Sequence, residues 1–216
     1  MPPADFISVA EETGLIVRIG QWVIETACAA AAEWEEPRWV AVNVSPVQFR
    51  QSDLPQIIAT TLARTGLAPG RLEVEITEGI LMEDTRRAMD VLSALRALGV
   101  RIALDDFGTG YSSLSYLRSF TFDKLKIDKS FIQGLGQSEE AAMIVRTIIG
   151  LAHNLGLSIA AEGVESTQQL AMVRGQMCDQ VQGFLLGRPM QMEGFTEFAA
   201  ARAKKTLLGA ASLAAE

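Results

Sequence analysis

Short apolar segments alternate with longer amphipathic segments along most of the 216-residue chain. The short segments have the length of buried β-strands, and the longer ones repeat apolar residues every three or four positions, as one face of an α-helix does. Because repeated strand–helix units form a parallel sheet covered by helices, the pattern predicts an α/β fold. The predicted strands are Trp39–Val44, Leu72–Ile76, Arg101–Leu104, Leu125–Asp128, Ser158–Ala161 and Val181–Leu185.

The amphipathic segments are predicted to be helices because their apolar residues fall on single stripes. Gly66, Gly99 and Gly156 follow three of these segments, and glycine is the residue that most often ends a helix. No linker or low-complexity block divides the chain, so residues 1–200 are predicted to form one domain and residues 201–216 a helical extension or tail. The predicted helices are Ile19–Trp34, Leu54–Thr65, Asp84–Leu98 and Glu139–Leu155.

Each predicted strand carries a polar residue at or near its C-terminal end. In Leu72–Ile76, the period of two puts Glu73 and Glu75 on one face and the aliphatic residues on the other. Polar groups inside and aliphatic groups outside are the distribution of a TIM-type (β/α)8 barrel, whose reactive groups gather where the strands end. A doubly wound open sheet would gather polar residues at one switch point instead, so the barrel is the better prediction. The polar strand-end residues are Asn43, Glu75, Asp105, Asp106, Lys126, Asp128, Glu162 and Gln182.

Composition narrows the classes of function. The formal net charge of -7 argues against a broad basic surface for a nucleic acid polymer, so an anionic ligand would need metal ions and a few placed cations. Cys28 and Cys178 lack Cys-x-x-Cys spacing and suit a reducing compartment, and His153 is the only histidine, which excludes a His-rich zinc site. The sequence has no signal-peptide pattern and no apolar run of membrane-spanning length, so we expect a soluble cytoplasmic protein.

The adjacent carboxylates Asp105 and Asp106 are the most informative pair in the chain. They follow an apolar strand and precede the glycine-bearing loop Phe107–Ser113. Neighbouring carboxylates repel each other, so a fold that brings them together normally supplies a cation, and a helix N-cap would explain only one of them. Oxygen donors are the ligands of Mg²⁺, Mn²⁺ or Ca²⁺, and two such ions can activate a water and neutralise charge on a phosphoryl group. The candidate oxygen donors are Asn43, Glu75, Asp105, Asp106 and Glu162.

Lys126 is a cation beside this predicted cluster, where it could orient a water or stabilise a pentavalent phosphorus. It could equally pair with Asp105 or Asp128, and Glu162 could cap a turn before Val164. Two other reactions use a strand-end lysine, namely Schiff-base chemistry of the aldolase type and metal-assisted proton abstraction of the enolase type. A Schiff-base lysine needs a desolvated amine, whereas nearby carboxylates would keep the amine protonated. Metal-dependent phosphoester hydrolysis therefore ranks first.

A series of spaced motifs runs in order along nearly the whole chain. The motifs include Pro3-Ala4-Asp5-Phe6-Ile7, Ala10-Glu11-Glu12-Thr13-Gly14-Leu15-Ile16, Val42-Asn43-Val44-Ser45, Glu75-Ile76-Thr77-Glu78, Asp105-Asp106-Phe107-Gly108-Thr109-Gly110-Tyr111-Ser112-Ser113, Lys124-Leu125-Lys126-Ile127-Asp128, Ala161-Glu162-Gly163-Val164-Glu165, Val181-Gln182-Gly183 and Arg188-Pro189. Their identity and order closely resemble the EAL-domain cyclic di-GMP phosphodiesterases. The resemblance implies hydrolysis of cyclic di-GMP to linear pGpG, supported by two Mg²⁺ or Mn²⁺ ions and inhibited by Ca²⁺.

The resemblance also implies a role for each matching residue. Lys126 would contact the nucleophilic water, and Glu162 would complete the shell of the second ion at the catalytic centre. Glu78 would steady the loop Phe107–Ser113, which links metal occupancy to formation of a homodimer in relatives. An attached or separate sensor or cyclase domain is a further partner to expect. The implied metal ligands are Asn43, Glu75, Asp105, Asp106 and Glu162, and the implied substrate-binding residues are Asp128, Gln182, Arg188 and Pro189.

The Glu-Ala-Leu motif that gives the family its name is not present in these residues. In relatives it lies upstream of the segment that matches Pro3-Ala4-Asp5-Phe6, so we expect an N-terminally truncated barrel with about six of its eight strands. A glutamate ligand and a phosphate-binding arginine lie in that upstream segment, so we expect weak or no turnover from these residues alone. A catalytically inactive cyclic di-GMP receptor or a protein-interaction module is the alternative function.

Overall fold

Six parallel strands form one sheet in sequence order, each hydrogen-bonded to the next, in a computed structural model that describes residues 2–109, 117 and 120–199. The strands are β1 (Val40–Asn43), β2 (Leu72–Thr77), β3 (Arg101–Phe107), β4 (Lys124–Ile127), β5 (Ser158–Ala161) and β6 (Gln180–Val181). The α-helices are α1 (Ile7–Glu12), α2 (Ile16–Ala32), α3 (Pro46–Gln51), α4 (Leu54–Thr65), α5 (Glu78–Glu83), α6 (Thr85–Ala97), α7 (Lys129–Gln133), α8 (Glu139–Asn154) and α9 (Thr167–Gly175). Residues 192–199 are also helical, and short 3-10 turns cover Pro3–Asp5 and Pro69–Arg71.

The sheet is an open half-barrel wall. Within the described residues, β1 and β6 are its two edges, and each internal strand pairs with the strands before and after it. This arrangement confirms the prediction of a parallel barrel-type sheet with six strands, and it confirms that the first and last predicted strands lie at the edges. No helix among the described residues is both long enough and apolar enough to cross a membrane.

The strand register brings the C-terminal ends of neighbouring strands to one edge of the sheet. Asn43 on β1 pairs with Glu75 on β2, and Thr77 on β2 pairs with Asp105 on β3. The polar residues that end these strands therefore lie side by side. This is the edge at which barrel enzymes build their active sites.

The outer face of the sheet holds the hydrophobic core. Val74 and Ile76 on β2 and Leu125 and Ile127 on β4 have no exposed surface, because amphipathic helices cover them. The predicted stripe of α8, formed by Val145, Ile148, Ile149 and Ala152, is buried in the same way, whereas Leu155, predicted on the same stripe, lies just beyond the helix and is exposed. Burial of aliphatic side chains is the main stabilising contribution to this layer, at about 25 cal/mol per Å² of apolar surface.

Side-chain caps mark the starts of α4, α6, α8 and α9. Asp53, Asp84, Ser138 and Ser166 accept hydrogen bonds from the backbone N–H groups of Gln56, Arg87, Ala141 and Gln169, respectively. These caps satisfy N–H groups that have no partner within the helix. The helix predicted at Leu54–Thr65 has these bounds in the structure, and the other three predicted helices agree to within a few residues.

The last strand is shorter than predicted. β6 ends at Val181, whereas the apolar run suggested a strand through Leu185. After Val181 the chain turns back on the segment that follows β5, because the Val164 N–H donates to the Gln182 carbonyl and the Leu185 N–H donates to the Val164 carbonyl. Leu185 then packs against the core instead of extending the sheet. The predicted helical extension or tail at residues 201–216 lies outside the described residues.

Candidate functional site

Lys126 lies at the centre of a buried group of carboxylates at the C-terminal edge of the sheet. Its Nζ is 2.6 Å from Glu75 Oε2, 2.6 Å from Glu162 Oε1 and 3.1 Å from Asp105 Oδ1. The lysine is 4% exposed, and strands β2, β3 and β4 together with the residue after β5 supply these four side chains. The four side chains that sequence analysis expected near one another are therefore in direct contact.

The charges of this group depend on one another. Burial alone would lower the pKa of Lys126, but the carboxylates of Glu75, Asp105 and Glu162 outweigh that effect and raise the pKa above its usual value. Burial raises the pKa of Glu75 and Glu162, and the nearby Lys126 ammonium only partly offsets this shift. Lys126 is therefore a permanent cation at neutral pH, and the Glu75 and Glu162 carboxyls hold protons more tightly than free carboxyls do.

Asp106 follows Asp105 in an unusual backbone conformation. Its φ angle is 54°, in the left-handed region that residues other than glycine seldom adopt, and the pairing of β3 with β4 shifts register between Leu104 and Phe107. The Asp106 N–H donates to Asp105 Oδ1 at 3.0 Å. A β-bulge of this kind reorients a side chain, so the two consecutive carboxylates both reach the same edge.

Asp105, Asp106 and Glu162 form an acidic trio. A carboxylate oxygen from each lies within 4.8 Å of the others. Burial raises the pKa of Asp106, and the neighbouring carboxylates Asp105 and Asp128 raise it further. Three carboxylates this close together are a donor set that a divalent cation would stabilise. Asn43 is exposed on edge strand β1 next to Glu75, so its amide oxygen is at the same end of the sheet.

Glu78 supports the segment that follows the trio. It is the first residue of α5, and its Oε1 accepts the Gly108 N–H at 2.8 Å. Gly108 has a φ angle of 94°, and a Cβ there would lie 2.9 Å from the Phe131 ring. Phe107, Gly108 and Thr109 are the described part of the predicted loop, and residues 110–113 lie outside the described residues.

Asp128 has a structural role at the start of α7. Its Oδ1 accepts the Ser130 N–H at 2.9 Å as the helix N-cap, and its carboxylate adds to the effect of burial in raising the pKa of Asp106. Burial would raise the pKa of Asp128, but hydrogen bonds from Ser130 and the backbone outweigh that effect and lower it. The resemblance implied that Asp128 contacts the ligand, and it gave no indication of this helix cap.

Gln182, Arg188 and Pro189 lie along a groove on the β6 side of the site. One cavity of about 420 Å³ is lined by residues that include Glu75, Lys126 and Gln182. A second cavity, of about 700 Å³, is lined by Gln182, Arg188 and Pro189 among others. Gln182 borders both cavities, so it lies between the carboxylate group and the Arg188–Pro189 turn.

Two close contacts hold the β6 side of this groove. A Cβ at Gly183 would lie 2.2 Å from the Val164 carbonyl oxygen, so only glycine fits between the two turns. The Arg188 guanidinium carbon lies 4.5 Å from the centre of the Phe184 ring. This cation–π contact orients the guanidinium beside the cavity. Sequence analysis did not assign Phe184 a role, because an isolated aromatic residue in a loop gives no periodic signal.

A second buried ion pair lies one layer below the first on the inner face. Lys124 Nζ is 2.6 Å from Glu73 Oε1 and 3.8 Å from the centre of the Trp39 ring. Arg101 Nε lies 3.6 Å from the other Glu73 oxygen. Burial lowers the pKa of Lys124, and Glu73 partly offsets that shift. The period of two along β2 and β4 is the sequence signal for this layer, because Glu73 precedes Glu75 as Lys124 precedes Lys126.

Known proteins resemble this chain in sequence. A family model for the EAL domain matches residues 1–189. An uncharacterized signaling protein of Caulobacter vibrioides is 52% identical over 196 residues, which cover 91% of this chain and 24% of that protein. MucR of Pseudomonas aeruginosa, named a bifunctional diguanylate cyclase/cyclic di-GMP phosphodiesterase, is 43% identical over 195 residues, which cover 88% of this chain and 28% of that protein. The chain thus spans about a quarter of the length of the curated relatives it matches.

Solved structures of known proteins are also similar to this fold. The MucR phosphodiesterase in complex with cyclic di-GMP superposes with a TM-score of 0.87 at 42% identity, covering 90% of this chain and 81% of that one. BlrP1 of Klebsiella pneumoniae, in a manganese and cyclic di-GMP complex, superposes with a TM-score of 0.78 at 30% identity, covering 87% of this chain and 48% of that one. With the family model matching most of its residues, the chain belongs to the EAL-domain family.

Proposed function

We propose that this domain hydrolyses one phosphodiester bond of cyclic di-GMP to give linear pGpG in a metal-dependent reaction. The observation that carries the proposal is the Lys126 ammonium, held by three carboxylates beside the acidic trio at the C-terminal edge of the sheet. The relative MucR is named as a phosphodiesterase of this nucleotide, and solved relatives are complexes with it. Both observations support this substrate over other phosphodiesters.

The donor set fits Mg²⁺ or Mn²⁺. Every candidate ligand is a carboxylate or amide oxygen, which these ions prefer, and the trio oxygens are close enough for one ion to contact all three. Bound ions would polarise a phosphoryl oxygen and lower the pKa of a bound water, and two ions would suit an in-line displacement. The residues that would hold them are Asn43, Glu75, Asp105, Asp106 and Glu162.

Lys126 would act as a fixed cation and hydrogen-bond donor. Its Nζ has three N–H groups and three carboxylate neighbours, so it would place a fixed positive charge beside a water or phosphoryl oxygen that binds at this cluster. A Schiff-base nucleophile or a lysine general base would need a neutral amine. The raised pKa of Lys126 therefore disfavours both alternatives.

Glu162 and the β6 side would complete the site. The raised pKa of Glu162 brings its proton affinity closer to that of a group that exchanges protons with water near neutral pH. Gln182, which borders both cavities, would contact the nucleotide, and Arg188, held on Phe184 beside Pro189, would supply a cation for an anionic ligand. Asp128 would act through its contact with Asp106.

The test is the conversion of cyclic di-GMP to pGpG by this chain with Mn²⁺ or Mg²⁺, followed by chromatography. Product formed by the unaltered chain and lost in Asp105→Asn, but retained in the surface variant Glu140→Gln, would support the proposal. Binding of cyclic di-GMP without turnover would favour a receptor. Neither binding nor turnover, with a stable protein complex, would favour an interaction module.

Two partner proposals accompany this function. MucR joins a diguanylate cyclase activity to the phosphodiesterase, so a cyclase or sensor domain is the partner we propose to act with this domain. We also propose a homodimer, as the resemblance to the family implies. Light scattering at increasing protein concentration, with and without Mn²⁺, tests it. A mass that stays at 23.3 kDa under all conditions would overturn the dimer.

A further inference from the structure

The turn Asp106–Gly108 is strained, and its surroundings must hold it. Asp106 has a φ angle of 54° and Gly108 one of 94°. A residue other than glycine persists in this region only when neighbouring groups fix it there. Glu78 provides one such contact through the Gly108 N–H, and Thr109 provides another because its Oγ1 donates to the Asp106 carbonyl at 2.9 Å.

Helix α7 contacts the same turn from the opposite side through the Phe131 ring. An ideal Cβ on Gly108 would lie 2.9 Å from Phe131 Cε2 and 3.1 Å from Cζ, so the ring lies directly against the glycine backbone. Phe131 is itself half-buried and packs on the hydrophobic core. A flat ring has only two side-chain torsion angles, and here it packs on the core. It therefore restrains the adjacent backbone more rigidly than a flexible aliphatic side chain would.

Phe131 also joins the turn to the strand that carries the central lysine. Its N–H donates to the Asp128 carbonyl at 3.2 Å, and Asp128 directly follows β4, the strand of Lys126. The Asp128 carboxylate also lies close to the Asp106 carboxyl. Helix α7 therefore contacts the Asp106–Gly108 turn at two points, one polar and one apolar.

We propose that Phe131 is a positioning residue for Asp106, acting through Gly108. The ring prevents the turn from relaxing toward α7, so the Asp106 carboxylate stays within reach of Asp105 and Glu162. This inference rests on the proposed function, because Asp106 would be a metal ligand there. Replacing a residue that orients a metal ligand without contacting the metal commonly lowers metal affinity 10- to 100-fold.

The first experiment measures Mn²⁺ affinity of the unaltered chain, Phe131→Leu and Phe131→Ala by titration calorimetry. We expect about a 10-fold loss for Phe131→Leu and a larger loss for Phe131→Ala. The control is Ile24→Val, a substitution at a buried position on α2, the helix that packs against α4 and β1. Measured Tm values show whether the control and the Phe131 variants lose similar stability. Equal affinities in Phe131→Leu and the control would overturn the inference.

A double-mutant cycle tests the contact itself. Gly108→Ala adds a methyl group that collides with the ring in the unaltered chain, whereas in Phe131→Ala only the backbone strain of the added Cβ remains. We expect Gly108→Ala to reduce Mn²⁺ affinity less in the Phe131→Ala background than in the unaltered chain. Equal losses in both backgrounds would show that the ring does not restrain the turn.

Hydrogen exchange in the absence of metal separates this inference from the proposed function. Faster exchange of the Gly108 amide in Phe131→Leu than in Ile24→Val is expected, because the Glu78 hydrogen bond would open more often. Unchanged exchange would contradict the positioning role. If the unaltered chain did not bind Mn²⁺, the proposed function would fail, whereas the exchange result would still decide whether Phe131 holds the turn.

Discussion

The Lys126 ammonium lies 2.6 Å from the Glu162 carboxylate, although the two residues come from different strand ends. Glu75 binds the same nitrogen at the same distance, so one cation holds the ends of β2 and β4 and the residue after β5 together. A buried charge is costly unless it is paired, and here the pairing links three parts of the wall. The same contacts would keep the carboxylates in place for a metal.

Lys126→Met should destabilise the protein and abolish turnover. The substitution leaves Glu75, Asp105 and Glu162 without their shared cation, which we expect to cost about 3 kcal/mol at pH 7 in the absence of metal. Whatever turnover of cyclic di-GMP the unaltered chain shows should fall at least about 100-fold, the loss typical of a missing electrostatic donor. Urea unfolding and product chromatography measure the two effects. Lys129→Met, an exposed neighbour on α7, should change neither, and a stable Lys126→Met would contradict the ion-pair account.

Stabilisation by Mn²⁺ should increase with pH. The raised pKa values of Asp106 and Glu162 mean that the folded, metal-free state binds more protons than the unfolded state, so its stability is greatest below the unfolded pKa and falls as pH rises through the folded pKa. A metal ion competes with these protons. We expect the Mn²⁺-dependent rise in Tm to be larger at pH 7.5 than at pH 5.5. Asp106→Asn should reduce this pH dependence, and an equal rise at both pH values would contradict the assignment.

Gly163→Ala should be far more damaging than Gly156→Ala. Both glycines have positive φ angles, 67° and 72°, so each alanine incurs similar backbone strain of about 1 kcal/mol. At Gly163 the added Cβ would also lie 2.6 Å from Lys129 Cβ, whereas at Gly156 it would meet no atom within 4 Å. The collision should cost about 1–3 kcal/mol more and displace the adjacent Glu162. Urea unfolding measures the loss of stability in both variants, and Mn²⁺ titration measures the effect on the site. Equal losses in Gly163→Ala and Gly156→Ala would refute the prediction.

The buried ion pair of Glu73 and Lys124 should tolerate replacement of both residues better than replacement of either one alone. Glu73→Leu alone leaves the Lys124 ammonium buried without its carboxylate, and Lys124→Met alone leaves the carboxylate without its ammonium. Each single variant should lose about 3–5 kcal/mol of unfolding free energy, while the double variant should lie much closer to the unaltered chain. A double-mutant cycle in urea measures the coupling. Additive losses would show that the pair contributes no specific interaction.

Much of the fold was predictable from local pattern. The alternating pattern of Leu72–Ile76 and the apolar run at Ser158–Ala161 predicted strands, and the stripe in Glu139–Leu155 predicted a helix, because side-chain periodicity follows directly from backbone geometry. The shortened β6 was not predictable. The backbone hydrogen bonds between Val164 and the Gln182–Leu185 segment decide where that strand ends, and they are tertiary contacts.

The candidate site was also predictable from the sequence only in part. Residue types and their spacing were enough to predict which polar groups end each strand, since a period of two and a common strand direction bring Asn43, Glu75 and Lys126 to one edge. Tertiary contacts were needed to show which oxygens approach the ammonium, that Asp106 takes a left-handed conformation, and that Phe131 lies against Gly108. These features depend on register, bulges and packing between segments distant in the chain, and local periodicity carries no information about them.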